Sequence, residues 1–128
     1  MDPIRATITL GNPCDRSLAP LTVNALVHTG ALHLCIREGL AIQLKLDRLD
    51  ERQVTTADGG KHLCAYVGPI EVHFDNRGCF TGALVLGDEI LLGAVPMEDM
   101  GLIVSPATRS VSVNPAGPNI PSLTAIQI

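Results

Sequence analysis

Short runs of apolar residues, bounded by glycine, proline, asparagine or aspartate, make up most of the chain. From Ile4 to Leu10 every second residue is apolar, and this spacing predicts a strand with one face toward a core. Comparable runs predict further strands at residues 21–27, 32–36, 53–57, 62–67, 70–74, 79–86, 90–92, 102–104 and 110–113. The pattern is typical of a mainly β protein.

Two segments depart from this strand pattern. Between Arg37 and Leu46 the apolar residues Leu40, Ala41 and Leu44 recur at helical spacing, which predicts a helix. A second short helix is expected at residues 96–100, because a proline at its start lacks only an amide hydrogen that would stay unpaired there. We therefore expect one or two short helices beside the strands.

Turn residues separate the predicted strands but do not divide residues 1–114 into two domains. Asp58, Gly59 and Gly60 separate two predicted strands, and a glycine beside an aspartate supplies the positive φ angles of a tight hairpin. Three prolines follow residue 114 within seven positions, which rules out a central strand there. We expect residues 1–114 to form one domain and residues 115–128 a proline-rich tail, either mobile or part of a dimer interface.

Composition excludes several classes of partner. Thirteen acidic residues outnumber nine basic ones, and no stretch gathers the positive charge that a nucleic-acid backbone requires. Three aromatic residues are too few for a stacking platform on single-stranded nucleic acid. No apolar run approaches about 18 residues, and the start lacks a basic and apolar leader. We expect a cytoplasmic protein with neither a membrane nor a nucleic acid as partner.

The cysteines and two of the histidines fit ordinary structural positions. Cys14, Cys35, Cys64 and Cys79 are separated by 21, 29 and 15 residues, which matches no paired metal or redox motif. We expect reduced and mostly buried thiols, and we expect His62 and His73 at exposed strand positions. These spacings imply no cofactor and no resident metal.

Three motifs nevertheless occur in an informative order. Residues 25–31 read Ala-Leu-Val-His-Thr-Gly-Ala, residues 57–60 read Ala-Asp-Gly-Gly in the predicted hairpin, and residues 90–93 read Ile-Leu-Leu-Gly. Across residues 4–113 the set resembles the retropepsin-like aspartic peptidases, whose site combines an Asp-Thr/Ser-Gly-Ala loop, a glycine-tipped flap and a hydrophobic-hydrophobic-Gly motif beneath the loop. The resemblance implies a closed β-barrel with one lobe per chain.

The resemblance also implies which residues form the site. His28, Thr29 and Gly30 stand at the catalytic loop positions, and the implied substrate-binding residues are Ala31, His33, Ala57, Asp58, Gly59 and Gly60. His28 departs from the family, because its members carry the catalytic aspartate there. The Thr29 hydroxyl is implied to bond across a dimer axis, and Leu91-Leu92-Gly93 is implied to pack beneath the loop.

The chemistry of the family requires two chains of this length. A carboxylate dyad hydrolyses peptides with two carboxyl groups that share one proton, and one such loop supplies only one carboxyl group. The resemblance therefore implies a homodimer with a peptide or protein substrate in a shared cleft. With His28 at the axis the pair becomes two imidazoles, so we expect an inactive or impaired aspartic endopeptidase.

Three alternatives stay open. One is a non-catalytic dimeric module that binds an extended peptide as an added strand. The second is a metal site formed by His28 and His33 of both subunits, since neutral imidazole is a common zinc ligand. On a continuous strand these two residues point to opposite faces, and only the turn at Gly30 can bring them together. The third is a small β-barrel outside this family, with an unknown role.

Overall fold

The computed structural model describes residues 3–121, and within that range the chain is mainly β with two short helices, as predicted. The strands are β1 (Arg5–Gly11), β2 (Leu21–Val27), β3 (Leu34–Ile36), β4 (Asp47–Thr55), β5 (Lys61–Phe74), β6 (Arg77–Val85), β7 (Leu91–Leu92), β8 (Leu102–Ser105) and β9 (Ser110–Val113). The helices are α1 (Glu38–Gln43) and α2 (Ala94–Met100).

The larger sheet closes on itself. Its strand order is β1-β2-β7-β3-β6-β5-β4, and β1 pairs in addition with β5. Because that extra pairing joins Thr9 to His73 and Gly11 to Glu71, the strands from β1 to β5 form a ring, and β4 lies outside it as an edge strand. β8 and β9 form a separate two-stranded sheet.

One hydrophobic core draws on every strand of the ring and on both helices. In β1 the predicted alternation is observed, because Ile8 and Leu10 are buried while Arg5 and Thr7 are exposed. Burial of each large aliphatic side chain contributes about 1.5–3 kcal/mol. The fully buried members from other elements include Leu34, Ile36, Leu40, Ile70, Val72, Leu92 and Met100.

The first helix is shorter than the predicted segment from Arg37 to Leu46. α1 ends at Gln43, and the chain then turns through Lys45, which has a φ of +51°. Leu46 still packs against the core as a partly buried residue, and its amide donates to Ala41 O at 3.0 Å. Leu46 therefore fits the helical spacing of apolar residues although it lies outside the helix. A compact turn, and not a further helical turn, brings its side chain to the core.

The hairpin strands are longer than the sequence predicts. β4 begins at Asp47, six residues before the predicted start at Gln53, and its first seven residues are exposed. As an edge strand β4 pairs only with β5, so its side chains show no alternation of burial. β5 joins both predicted runs into one strand that passes through the cis Gly68–Pro69 bond, where the register with β6 shifts.

The remaining structural expectations are tested in part. All four cysteines are free and three are buried, and His62 and His73 are exposed on β5, as predicted.

The first part of the proline-rich tail contacts the domain, because Asn76 Nδ2 donates to Pro118 O at 3.0 Å. The prediction for residues 122–128 lies outside the described residues. Between residues 3 and 121 no helix has the length and apolar character needed to cross a membrane.

Candidate functional site

The loop of residues 28–33 joins β2 to β3, and β7 lies between these two strands. β7 runs parallel to β2, with Val27 opposite Leu92, and antiparallel to β3, with Cys35 opposite Leu91. The loop therefore leaves the sheet on one side of β7 and returns on the other. It must cross directly over the end of β7, at Gly93.

Gly93 makes this close crossing possible. A Cβ atom at this position would lie 2.4 Å from His33 O and 2.8 Å from Ala31 O. Both contacts are with backbone, which cannot swing aside as a flexible side chain can. The prediction that Leu91-Leu92-Gly93 packs beneath the loop is confirmed, and the physical reason for its glycine is contact between two backbone segments.

Backbone hydrogen bonds fasten the loop at both ends. They join His28 N to Leu92 O at 3.1 Å, Ala94 N to Ala31 O at 2.8 Å, and Val95 N to Leu32 O at 2.9 Å. Each of these bonds links the loop to β7 or to the first turn of α2. These backbone bonds thus fix the course of the loop relative to β7 and α2.

The His28 side chain turns back toward its own loop. Its Nδ1 accepts a hydrogen bond from the Gly30 amide at 3.1 Å, and the Ala31 amide donates to His28 O at 3.1 Å. A ring nitrogen that accepts a hydrogen bond carries no proton, so neutral His28 carries its proton on Nε2. The position that the resemblance gives to an accepting carboxylate therefore presents an N–H donor.

The hairpin tip, residues 56–60, is shaped by its own side chains. Asp58 Oδ1 accepts hydrogen bonds from Thr56 Oγ1 at 2.5 Å and from the Gly60 amide at 2.9 Å. These two bonds, the Thr56 hydroxyl first, lower the pKa of the Asp58 carboxyl. Gly59 adopts a left-handed φ of +83°, which a side chain would strain. The Asp58 carboxylate is thus used to hold the turn.

A cavity of about 580 Å³ lies between the loop and the hairpin. This volume is within the usual range of ligand sites, which is about 300–1,000 Å³. Residues 52–57 of the hairpin form one wall, and the strands beneath provide largely aliphatic side chains. The other lining residues are His28, Gly30, Ala31, Leu32, His33, Cys35, Leu84, Leu86 and Leu91.

Only part of the predicted site reaches this cavity. The predicted residues that line it are His28, Gly30, Ala31, His33 and Ala57. The predicted residues outside its lining are Thr29, Asp58, Gly59 and Gly60. Thr29 is exposed at the turn of the loop, and the other three belong to the hairpin tip. The hairpin therefore faces the loop mainly through residues 52–55 of β4, which we call the hairpin arm, and less through its tip.

His28 and His33 face the same cavity because the chain turns at residues 29 and 30 and does not continue as a strand. Within residues 3–121 no three or more histidine, cysteine, aspartate or glutamate side chains are grouped to hold a metal. Metal binding through His28 Nε2 would also move its proton to Nδ1 and break the bond from Gly30. The donor geometry therefore counts against a metal at this position.

Tyr66 and Arg52 are two residues near the cavity that were not predicted from the sequence. The Tyr66 ring meets the His33 ring edge-on with centroids 6.0 Å apart, and Arg52 Cζ lies 4.8 Å from the Tyr66 centroid. A Cβ at Gly82 would lie 2.2 Å from Tyr66 Cζ, so this glycine leaves room for the ring. The signal available in the sequence was the alternation of β5, which puts Tyr66 on the same face as Cys64.

Cys35 lines the cavity but is poorly suited to covalent chemistry. Burial raises the pKa of its thiol, and the neighbouring Cys64 raises it further. The thiolate is the nucleophilic form of cysteine, so a raised pKa keeps Cys35 in its unreactive form. Cys35, Cys64 and Leu84 instead form a small hydrophobic cluster under the cavity, separate from the main core.

The arrangement can hold an elongated ligand between a fixed loop and a hairpin, with imidazole donors and aliphatic walls around it. Comparison with protein-family models and with curated proteins gives no match. The features that bear on function are therefore the geometry of this cavity and the three sequence motifs that border it.

Proposed function

We propose that the chain is a retropepsin-like scaffold that acts as a homodimer and binds an extended peptide or protein segment in this cavity. It lacks effective aspartic peptidase activity because His28 replaces the catalytic aspartate. The observation that carries the proposal is the crossing of the loop over Gly93, opposite a glycine-tipped hairpin. All three motifs of the resemblance thereby border one cavity, and the ring of strands is consistent with the closed barrel that the resemblance implies.

A second copy of the chain is part of the proposal. Leu32 and Val95 lie side by side, joined by a backbone hydrogen bond, and they are 64% and 45% exposed. Thr29 is exposed in the same loop. A two-fold interface over these residues would cover their apolar surface and bring two His28 loops to one axis.

The dimer has its own test. Light scattering at micromolar concentration is expected to show a dimer, and Val95→Lys is expected to shift it to a monomer by burying an unpaired charge. Ile42→Lys is the matched control, since Ile42 is 68% exposed on α1, outside this surface. A natural chain that is monomeric at this concentration would contradict the homodimer.

The tautomer of His28 explains the expected loss of hydrolysis. A carboxylate dyad accepts a proton from water with one oxygen and donates a shared proton to the carbonyl oxygen of the substrate. His28 Nδ1 is occupied by the Gly30 amide, and Nε2 carries the proton. Neither nitrogen can take a proton from water unless the bond to Gly30 breaks. The natural residue can therefore bind an acceptor but is poorly placed to activate water.

The decisive experiment compares the natural chain, His28→Asp and His28→Asn against a diverse peptide library, from about pH 3 to pH 8, with cleavage read by mass spectrometry. We expect only His28→Asp to cleave. His28→Asn is the control, because its amide oxygen can replace Nδ1 as acceptor for Gly30 without supplying an ionisable carboxyl group. Cleavage by the natural chain would overturn the proposed loss of activity.

A dedicated peptide-binding module is the second candidate. It is favoured by the Nε2–H of His28, a donor suited to binding an acceptor group. In that case His28→Asp would still bind peptides but would not cleave them, because the cavity has changed elsewhere as well. The same assay, supplemented by peptide-binding measurements on His28→Asp, separates the two candidates.

A further inference from the structure

We propose that the cavity prefers peptides that carry a carboxylate next to aliphatic side chains over otherwise identical neutral peptides. This inference rests on the proposed function, since it specifies the ligand of the same cavity. It follows from the distribution of charge in the lining, the donor atoms of the loop and the hydrophobic character of the walls.

Nitrogen bases are the main ionisable side chains in the lining of the cavity. Apart from the Cys35 thiol they are His28, His33 and Arg52, and no aspartate or glutamate belongs to the lining. The chain as a whole has more acidic than basic residues and a net charge of −4. A cavity with nitrogen donors and no carboxylate, in an acidic protein, is complementary to an anionic group.

His28 supplies the donor whose proton position is best determined by the structure. Because the Gly30 amide fixes Nδ1 as the acceptor, the proton on Nε2 is available to an oxygen atom of a ligand. Hydrogen bonds to an ionised carboxylate are about twice as strong as those to a neutral carbonyl. The same N–H donor that leaves His28 poorly placed to activate water therefore favours binding of an anion.

Arg52 contributes a positive charge that a neighbouring carboxylate partly offsets. Its Nη1 donates to the Asp50 carboxylate and, at 3.4 Å, to Glu51 O, while the guanidinium lies over the Tyr66 ring. These contacts orient the planar group, and Nη2 makes no hydrogen bond within residues 3–121. Since Asp50 offsets part of its charge, we assign the larger share of the preference to His28.

The walls determine what must flank the carboxylate. Leu32 and Val54 border the cavity from the loop and from the hairpin, and Leu84, Leu86 and Leu91 lie beneath. Aliphatic side chains of a ligand would be buried against these walls. The contact would exclude water from the cavity, and this strengthens the hydrogen bonds made to the anion. The expected ligand is an extended segment with an acidic residue between leucine-like residues.

The test is titration calorimetry on the full chain with three pentapeptides, of which the first two are capped at both ends. The first has glutamate between two leucines, the second has glutamine in its place, and the third is the glutamine peptide with a free terminal carboxylate. We expect the glutamate peptide to bind roughly tenfold more tightly than the glutamine peptide. His28→Ala should reduce this ratio to about one, because it removes the Nε2–H donor without introducing a catalytic carboxyl group.

His73→Gln is the matched control, because this exposed histidine lies on β5 outside the cavity and should leave the ratio unchanged. Tightest binding by the third peptide would support the carboxylate preference and assign it to a chain terminus. Equal binding of all three peptides, or an unchanged ratio in His28→Ala, would overturn the preference and leave the proposed function standing. Failure of every peptide to bind would overturn the proposed function itself.

Discussion

The two segments that face each other across the cavity are stabilised in different ways. Residues 28–33 are fastened by backbone hydrogen bonds to β7 and to the start of α2. Residues 56–60 are held by hydrogen bonds within the tip itself, through Thr56 and Asp58. The first segment is therefore part of the framework of the fold, whereas the second is a local structure at the end of two long strands.

This difference has a consequence for function. A loop that shares backbone contacts with the core cannot move without disturbing the core, while a self-contained tip can change position at little cost to the rest of the chain. We expect the loop to fix the geometry of binding and the hairpin to adjust to the ligand. The following substitutions act on the loop, on the link between the two segments, and on the tip.

Gly93→Ala is expected to have the largest effect, a loss of about 3 kcal/mol in the free energy of unfolding, because the added methyl group collides with loop backbone. Gly59→Ala is the comparison in the tip. Its Cβ would meet nothing within 4 Å, so only the left-handed φ is strained, at about 1 kcal/mol. Urea denaturation measures both, and equal losses would contradict the distinction between the two segments.

Tyr66→Leu tests the link between the loop and β4, the strand that leads to the tip. Tyr66 contacts His33 of the loop and Arg52 of the hairpin arm, so loss of its ring should cost about 1–2 kcal/mol. Tyr66→Phe keeps the ring and should stay close to the natural chain in the same urea titration. If both variants lost equal stability, the hydroxyl group and not the ring contacts would be the cause.

Asp58 should make the tip sensitive to acid. Its pKa is lowered in the folded tip from an ordinary value of 3.8, because the Thr56 hydroxyl and the Gly60 amide bond the ionised form. The contribution is therefore fully present above that ordinary value and is lost as the pH falls through the lowered pKa. The Gly60 amide signal followed by NMR should report the loss, and Asp58→Asn should remove the pH dependence. A tip that stays unchanged below the pKa of Asp58 would show that its carboxylate does not hold the turn.

The elements that could be predicted from sequence are those in which apolar residues recur at strand spacing between turn residues. β2 and β9 were predicted with the observed bounds, since apolar runs and turn residues coincide at their ends. β4 escaped prediction over residues 47–52, because an exposed edge strand leaves no periodic pattern. The helix prediction extended too far at Leu46, because a turn can bury an apolar side chain as well as a helix can.

The site, too, could be predicted only in part. The loop and the Leu-Leu-Gly motif were identified by their resemblance to the motifs of a known family, and the structure adds the physical reason for the glycine, since a Cβ at Gly93 would collide with loop backbone. The contribution of Arg52 and Tyr66 depends on the pairing of β4 with β5, which a single sequence does not reveal. The shared cavity of His28 and His33 depends on a turn that interrupts strand parity.

Amide hydrogen exchange with and without the glutamate pentapeptide tests the central claim most directly, since it reports both segments and the ligand at once. We expect the amides of Ala94 and Val95, which donate to the loop, to exchange slowly in both samples. The amides of Thr56 and Gly60 should exchange rapidly in the free chain and slow down when the peptide binds. Slowing confined to β8 and β9, with no change in the hairpin, would contradict a peptide site between the loop and the hairpin.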